Sequence, residues 1–364
     1  MKSSIPEPST HTDHEIPVHL GHIFSYVLFR TLFVPCQYLP RPWLRTLARL
    51  CGRICHLCMV NRRRIARANL NIVLGDTRTR SEKRRIVRKF FVHFALVIAD
   101  SILATRLNSD NLEEHVRVDP ASIERVRKAF AQGRGAVGVF YHFGNSEVMG
   151  AAYGLLGLPP LTFIAQRLSN PLIDRYLNDI RAKHGNRVAY RDVVAAHILP
   201  ALHRDELIGI MVDRNTYEGI DVDLFGVPAR TTPAPGLLAV KFGCPIIPAF
   251  CVPDEEGCYS IDFGPIIEAR PDQPIESEIH HITRQIHDVL EARVRERPEL
   301  WLLGHRRWKC RPTRERGPFP SYSQYTPPHP LFVGTPNPEI LPADLHQFQE
   351  EDSSEFKAPL SLLR

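Results

Sequence analysis

The sequence predicts an α/β fold: a central, mostly parallel or mixed sheet flanked by helices, preceded by a basic helical N-terminal region with a membrane anchor. Three observations predict it. Short apolar, β-branched runs at 136–141, 161–165, 187–190, 207–212, 245–251 and 258–263 have strand length. Helical patterns at 146–156, 171–183, 193–202, 235–242 and 275–295 fall between them, and such alternation argues for helices packed on the faces of one sheet. Ahead of all this, 43–59, 61–74 and 81–103 read as basic amphipathic helices. In the first of these, Arg45, Arg49 and Arg53 form one stripe and Leu47, Leu50, Ile54 and Leu57 another.

The chain of 364 residues is long enough for a substantial core, and its 43% hydrophobic and 24% charged content is that of a globular protein. The net charge of +6 is unevenly spread. Residues 41–100 hold 15 Lys and Arg against 3 Asp and Glu, whereas 318–364 hold 2 against 6. A basic first third suits an anionic membrane surface, an acidic carrier protein or a nucleic acid.

In order, residues 1–18 are polar and proline-punctuated, and are expected to be disordered without a secretory signal. Residues 19–40 carry the apolar run 20–39, broken by His22, Arg30, Pro35 and Gln37. That run is short of a clean span and reads as a short anchor or an interfacial helix, or else as a buried amphipathic helix. Residues 41–317 form the main domain, a basic helical part (41–106) followed by the α/β part (107–317). The Pro-rich, acidic stretch 318–364 is expected to be a disordered tail. Eight cysteines are scattered; Cys51, Cys55 and Cys58 have helical spacing but no second cluster to complete a zinc site, so reduced thiols and no metal are expected.

The richest stretch is 137–150. An apolar run ends at Tyr141-His142, a Gly-Asn-Ser turn follows, and Glu147 opens a helix. Strand, turn, helix puts His142 at the carboxyl end of a sheet strand, where α/β folds place their sites. Glu147, in the first helical turn, is expected within reach of the imidazole. A carboxylate on one ring nitrogen fixes the tautomer and leaves the other as a base. Glu147 is equally explained as a helix-end carboxylate favoured by the dipole.

Further blocks follow in order: Gln166-Arg167 before Asn170-Pro171, Asp213-Arg214, Phe225-Gly226 with Pro228-Ala229, Arg230 and Thr231, Pro245 to Pro248, and His305-Arg-Arg-Trp-Lys309, with Arg64 to Leu70 upstream. With His142-x4-Glu147, this ordered set resembles the late acyltransferases of lipid A biosynthesis, the lauroyl/myristoyl transferase family, within the lysophospholipid acyltransferase superfamily. The likeness runs from about residue 20 to 316. It departs at Asp213-Arg214, where Asp-Gln is more usual, at Leu224, at Leu303 and in the acidic tail.

The resemblance implies a membrane-associated O-acyltransferase. A fatty acyl chain would pass from a thioester, on acyl carrier protein or coenzyme A, to a hydroxyl of lipid A or its precursor at the cytoplasmic face of a bacterial inner membrane. His142 would be the general base and Glu147 its orienting carboxylate, with no enzyme nucleophile, cofactor or metal. Gly144 and Asn145 backbone groups and Arg167 would meet the oxyanion. Asp213 would support the site, and Arg167, Arg214 and Arg230 would hold phosphates. Each charge also has a plainer reading: Arg167 a solvated loop residue, Asp213 a turn cap, Arg214 and Arg230 surface charges, 305–309 a docking surface for helices.

Other readings share the residues. The same chemistry on a mannosylated phosphoinositide, an aminolipid or a lysophospholipid is one; a lipid binder without catalysis is another, disfavoured by the His142–Glu147 pair. Nucleic-acid binding is disfavoured by the lack of aromatic stacking residues among the arginines, Trp43 aside, and a hydrolase by the lack of a Gly-x-Ser-x-Gly elbow.

Overall fold

A computed structural model describes residues 17–190, 194–315 and 317–327. Four helices come first: α1 (Leu20–Tyr38), α2 (Arg41–Cys58), α3 (Val60–Leu74) and α4 (Arg80–Ala104). α4 is launched by a capping box, with Thr79 Oγ1 accepting from the Glu82 N–H while Glu82 accepts from the Thr79 N–H. Gly52 lets α2 cross α4 closely: a Cβ there would lie 2.7 Å from the Phe91 carbonyl oxygen. A buried Arg45–Asp100 ion pair joins the two helices, and Tyr259 Oη donates to the same carboxylate (2.8 Å).

The remainder is α5 (Leu112–His115), β1 (Val116–Val118), α6 (Pro120–Phe130), β2 (Ala136–Gly144), α7 (Ser146–Tyr153), β3 (Leu161–Ala165), α8 (Pro171–Ala182), β4 (Arg187–Tyr190), α9 (Val194–His203) and β5 (Leu207–Met211), then β6 (Ile220–Leu224), β7 (Val227–Thr231), α10 (Ala234–Phe242), β8 (Ile246–Pro253), β9 (Tyr259–Phe263) and α11 (Ile275–Glu296). Seven strands form one sheet in the order β1-β9-β8-β2-β5-β3-β4. β8, β2, β5, β3 and β4 run parallel; β9 opposes β8, and β1 follows β9. The expected mixed sheet is therefore the observed one, and β2 lies at its centre.

Period-two alternation explains why both sheet faces are covered. Val137, Val139 and Tyr141 of β2 point into one core layer with Trp301, Trp308 and the apolar stripe of α11, while Ala136 and Phe140 point into the other with α6 and α7. Trp301 and Trp308 are fully buried with rings 6.1 Å apart, and truncating either to alanine would cost about 3–5 kcal/mol.

Two readings are corrected. The stretch 224–232, where the sequence predicts no strand, is paired: β6 and β7 form an antiparallel hairpin whose two-residue turn, Phe225 (φ +54°) and Gly226 (φ +74°), is left-handed at both positions. The expected tail boundary at 318 falls too early. Gln324–Tyr325 pairs with Cys310–Arg311, and Tyr322 Oη donates to Asn69 on α3, so the chain to residue 327 is packed; 328–364 lie outside the described residues, as do 1–16. Among the described residues no helix is long and apolar enough to cross a membrane. α1 instead docks on α8, where Phe29 and Phe33 pack edge-on against Tyr176 and Arg30 stacks over that ring at 4.4 Å.

Candidate functional site

The parallel register of β2 and β5 pairs Phe140 with Met211, so the residues two further on, His142 and Asp213, arrive side by side at the strand tips. The Asp213 carboxylate takes His142 at two points: Oδ2 accepts from its backbone N–H (2.9 Å) and Oδ1 from its ring Nδ1–H (2.7 Å). Trp301 Nε1 donates to Oδ2 as well (2.9 Å). Burial alone would raise the Asp213 carboxyl; the neighbouring imidazole, its hydrogen bonds and Trp301 outweigh it and hold the group below the ordinary carboxylate range. With Nδ1–H committed to Asp213, the lone pair of His142 lies on Nε2, which has no partner among the described residues, on a side chain 29% exposed.

Glu147 is not the carboxylate that holds His142. It sits at the start of α7 and accepts both Arg181 Nη2 (2.6 Å) and Nε (3.1 Å) from α8. Arg181 Nη1 donates to Asn178, Asn178 to Tyr190 Oη, and Tyr190 Oη to Asp174 (2.6 Å), so one polar chain ties α7, α8 and the end of β4 together. Arg167, after β3, stacks over the Tyr190 ring at 3.7 Å and so belongs to this second cluster.

The turn also differs from expectation. Gly144 has φ +73°, and a Cβ would fall 2.0 Å from the Cys251 carbonyl oxygen, so only glycine fits. The Asn145 N–H is spent on that carbonyl (2.9 Å), and Asn145 Oδ1 caps α7 by accepting from Glu147 and Val148 N–H. Asn145 is fully buried, its Nδ2 donating to Val97 O and Tyr259 Oη. The Asn145 N–H is therefore not free to be the oxyanion donor that the sequence suggested.

Arg230 is corrected too. It lies opposite Asp221 in the β6–β7 hairpin, pairs with it through two bonds (2.7 and 3.1 Å), donates to the Thr326 and Pro327 carbonyls, and is fully buried. It is a structural cation with no face left for a phosphate. Arg214 is exposed beside His305, as a ligand-facing residue requires.

Sequence reasoning assigned no role in the site to Trp301 and left 305–309 open. The Leu302 N–H donates to the His142 carbonyl (3.0 Å), and the His305 N–H to the Leu302 carbonyl (3.1 Å), so this segment lines the dyad. Asn69 of α3 holds it from behind, donating to the Leu303 and His305 carbonyls (2.8 and 2.7 Å). Next to it lies an apolar groove of about 530 Å³ between α2 and α4, walled by Leu47, Cys51, Phe91, Phe94 and Ile98 and reaching Leu302 and His305. On the other side of the α2–α4 pair a cleft of about 600 Å³ is rimmed by Arg49, Arg53, Arg88 and Lys89.

The geometry is thus a carboxylate-oriented imidazole base next to an apolar groove, and the ordered motifs are matched as a whole. The family model for bacterial lipid A biosynthesis acyltransferases covers residues 14–310. The chain belongs to that family. Within the match lie the dyad, the groove helices and the segment 301–310. Among curated relatives, a phosphatidylinositol mannoside acyltransferase of Mycolicibacterium smegmatis is 24% identical over 207 residues, 53% of this chain and 62% of that protein. Its counterpart in Mycobacterium tuberculosis is 23% identical over 202 residues, 51% of this chain and 58% of that protein. The chain therefore spans under two thirds of the length of these relatives.

Proposed function

We propose that the protein is an O-acyltransferase that moves a fatty acyl chain from a thioester to a hydroxyl of a membrane glycolipid. The observation that carries this reading is the His142–Asp213 dyad at the tip of β2, with Nε2 unpartnered among the described residues and the His142 carbonyl bonded to Leu302 of the apolar groove. Nε2 takes the proton of the acceptor hydroxyl as its oxygen attacks the thioester carbonyl carbon. The tetrahedral intermediate then expels the thiolate, which takes the proton back from the imidazolium. Asp213 holds the ring in the competent tautomer and stabilises its positive charge, as the third member of a triad does. The residues themselves supply the base, so the reaction needs no cofactor.

The donor is an acyl carrier protein or coenzyme A thioester, with its acyl chain in the groove of α2 and α4. Basic residues on these helices suit an acidic carrier and anionic lipid. α1, exposing Leu20, Phe24, Leu28 and Leu32, lies in the interface of the inner membrane on its cytoplasmic side, with no crossing required. For the acceptor, the family resemblance favours a lipid A precursor. The two mycobacterial relatives, by their names, act on a phosphatidylinositol mannoside, which supports a second reading: a sugar hydroxyl of a mannosylated phosphoinositide.

The test is turnover of palmitoyl-CoA and palmitoyl-acyl carrier protein by the purified protein, offered a lipid A precursor or a phosphatidylinositol mannoside, with products read by mass spectrometry. Acylation of either glycolipid supports the reading and selects the acceptor. Transfer to neither, with active relatives run alongside, rejects it.

A further inference from the structure

His142 is one of two imidazoles held by the segment that follows β5. Asp213 accepts from Nδ1–H of His142; two residues on, the Asn215 backbone N–H donates to Nε2 of His305 (3.2 Å). A backbone N–H has no lone pair, so Nε2 of His305 is the unprotonated nitrogen and Nδ1 carries the hydrogen. The two rings are therefore fixed in opposite senses: His142 presents a lone pair, His305 an N–H. Nδ1 of His305 has no partner among the described residues, and it is not among their buried, unsatisfied side-chain atoms. The ring also walls the apolar groove at its end nearest the dyad.

The first half of acyl transfer needs such a pair. A base takes the hydroxyl proton while a donor meets the negative charge growing on the thioester oxygen. Of the turn donors expected for that task, the Asn145 N–H is occupied by the Cys251 carbonyl.

We infer that His305 donates its Nδ1–H to the carbonyl oxygen of the acyl thioester and stabilises the oxyanion of the tetrahedral intermediate. The inference rests on the proposed acyl transfer with His142 as base. No proton leaves His305. The hydroxyl oxygen bonds to the carbonyl carbon, its proton passes to His142 Nε2, and collapse of the oxyanion breaks the C–S bond as the thiolate takes that proton. Burial, then the adjacent Arg214 and Arg307 charges, lower the His305 pKa to about 4, so the ring is neutral near pH 7 and keeps one fixed tautomer. Leu302, whose N–H holds the His142 carbonyl and whose carbonyl accepts from the His305 N–H, keeps the two rings in register.

The experiment compares His305→Ala, His305→Phe and His305→Asn with the wild type, on palmitoyl-CoA and a phosphatidylinositol mannoside or lipid A precursor, whichever the wild type acylates. Phenylalanine fills the groove wall without a donor; asparagine returns an amide N–H near the Nδ1 position. Expected are kcat values about 10²–10³-fold lower for alanine and phenylalanine, with KM for palmitoyl-CoA nearly unchanged, and at least about tenfold recovery in asparagine. Melting curves select the folded variants, and either donorless variant alone suffices. A folded donorless variant within about threefold of wild-type kcat, or one whose loss lies in KM, overturns the inference. His142→Ala is run beside them: its retained turnover would instead defeat the parent reading.

Discussion

The Asp213 carboxylate grips His142 at both its backbone N–H and its ring Nδ1–H, while Trp301 grips Asp213. The strand tip, the ring and the buried charge are thereby one unit, and the orientation of the imidazole is set by the segment that follows β5 and not by α7. Asp213→Asn keeps the shape but removes the charge and favours the wrong tautomer. Activity should drop by about 10³–10⁴-fold with little change in KM, measured as initial rates on a glycolipid acceptor. A variant within tenfold of wild type would mean that the ring needs no oriented carboxylate.

Glu147 and Arg181 should behave as a pair. Each holds α7 against α8, and a misplaced turn beside His142 costs up to about 10²-fold. Glu147→Ala and Arg181→Ala are expected to lose similar factors, and the double variant no more than either alone. An inactive Glu147→Ala beside a fully active Arg181→Ala would show that Glu147 acts on the substrate directly.

Arg230→Ala should damage the fold and spare the chemistry. It breaks a buried pair and strips two carbonyls of their donor, a loss of about 3–5 kcal/mol. Chemical denaturation should show the loss, while folded protein retains its KM for the acyl donor. A KM raised many-fold without destabilisation would restore Arg230 as a substrate ligand.

Acid should destabilise the protein well above the carboxylate range. Burial lowers His93 to about 4, His287 to about 3 and His305 to about 4, all from 6.5. Below the ordinary value the unfolded chain binds protons that the folded chain refuses, so stability present above about pH 6.5 is lost as pH falls toward 4. Each histidine contributes at most about 1.4 kcal/mol per pH unit in that window. Melting temperatures recorded from pH 7 to 4.5 should fall steadily; a flat profile would mean that these rings are not held neutral.

Much of this architecture was legible in the sequence, and the exceptions have physical causes. The strands at 161–165 and 187–190 were read with their observed ends because apolar runs between turn signals define themselves. The β6–β7 hairpin was missed since its turn is Phe225-Gly226, and phenylalanine is a poor advertisement for a left-handed residue. The place of His142 near the carboxyl end of a strand was legible from the strand-turn-helix pattern. Its partner was not, because Asp213 is 71 residues away and only the parallel register of β2 and β5 brings it near. Glu147 looked right on sequence proximity, which says nothing of Arg181 across the α7–α8 contact. Arg230 read as a phosphate-holding cation because the hairpin that buries it against Asp221 was unseen.

The most direct measurement is acyl transfer by His142→Ala, with labelled palmitoyl thioester and the glycolipid that the wild type acylates. The account predicts a folded, stable protein with no transfer above the uncatalysed background. A folded alanine variant that acylates the glycolipid at a rate near wild type would contradict it.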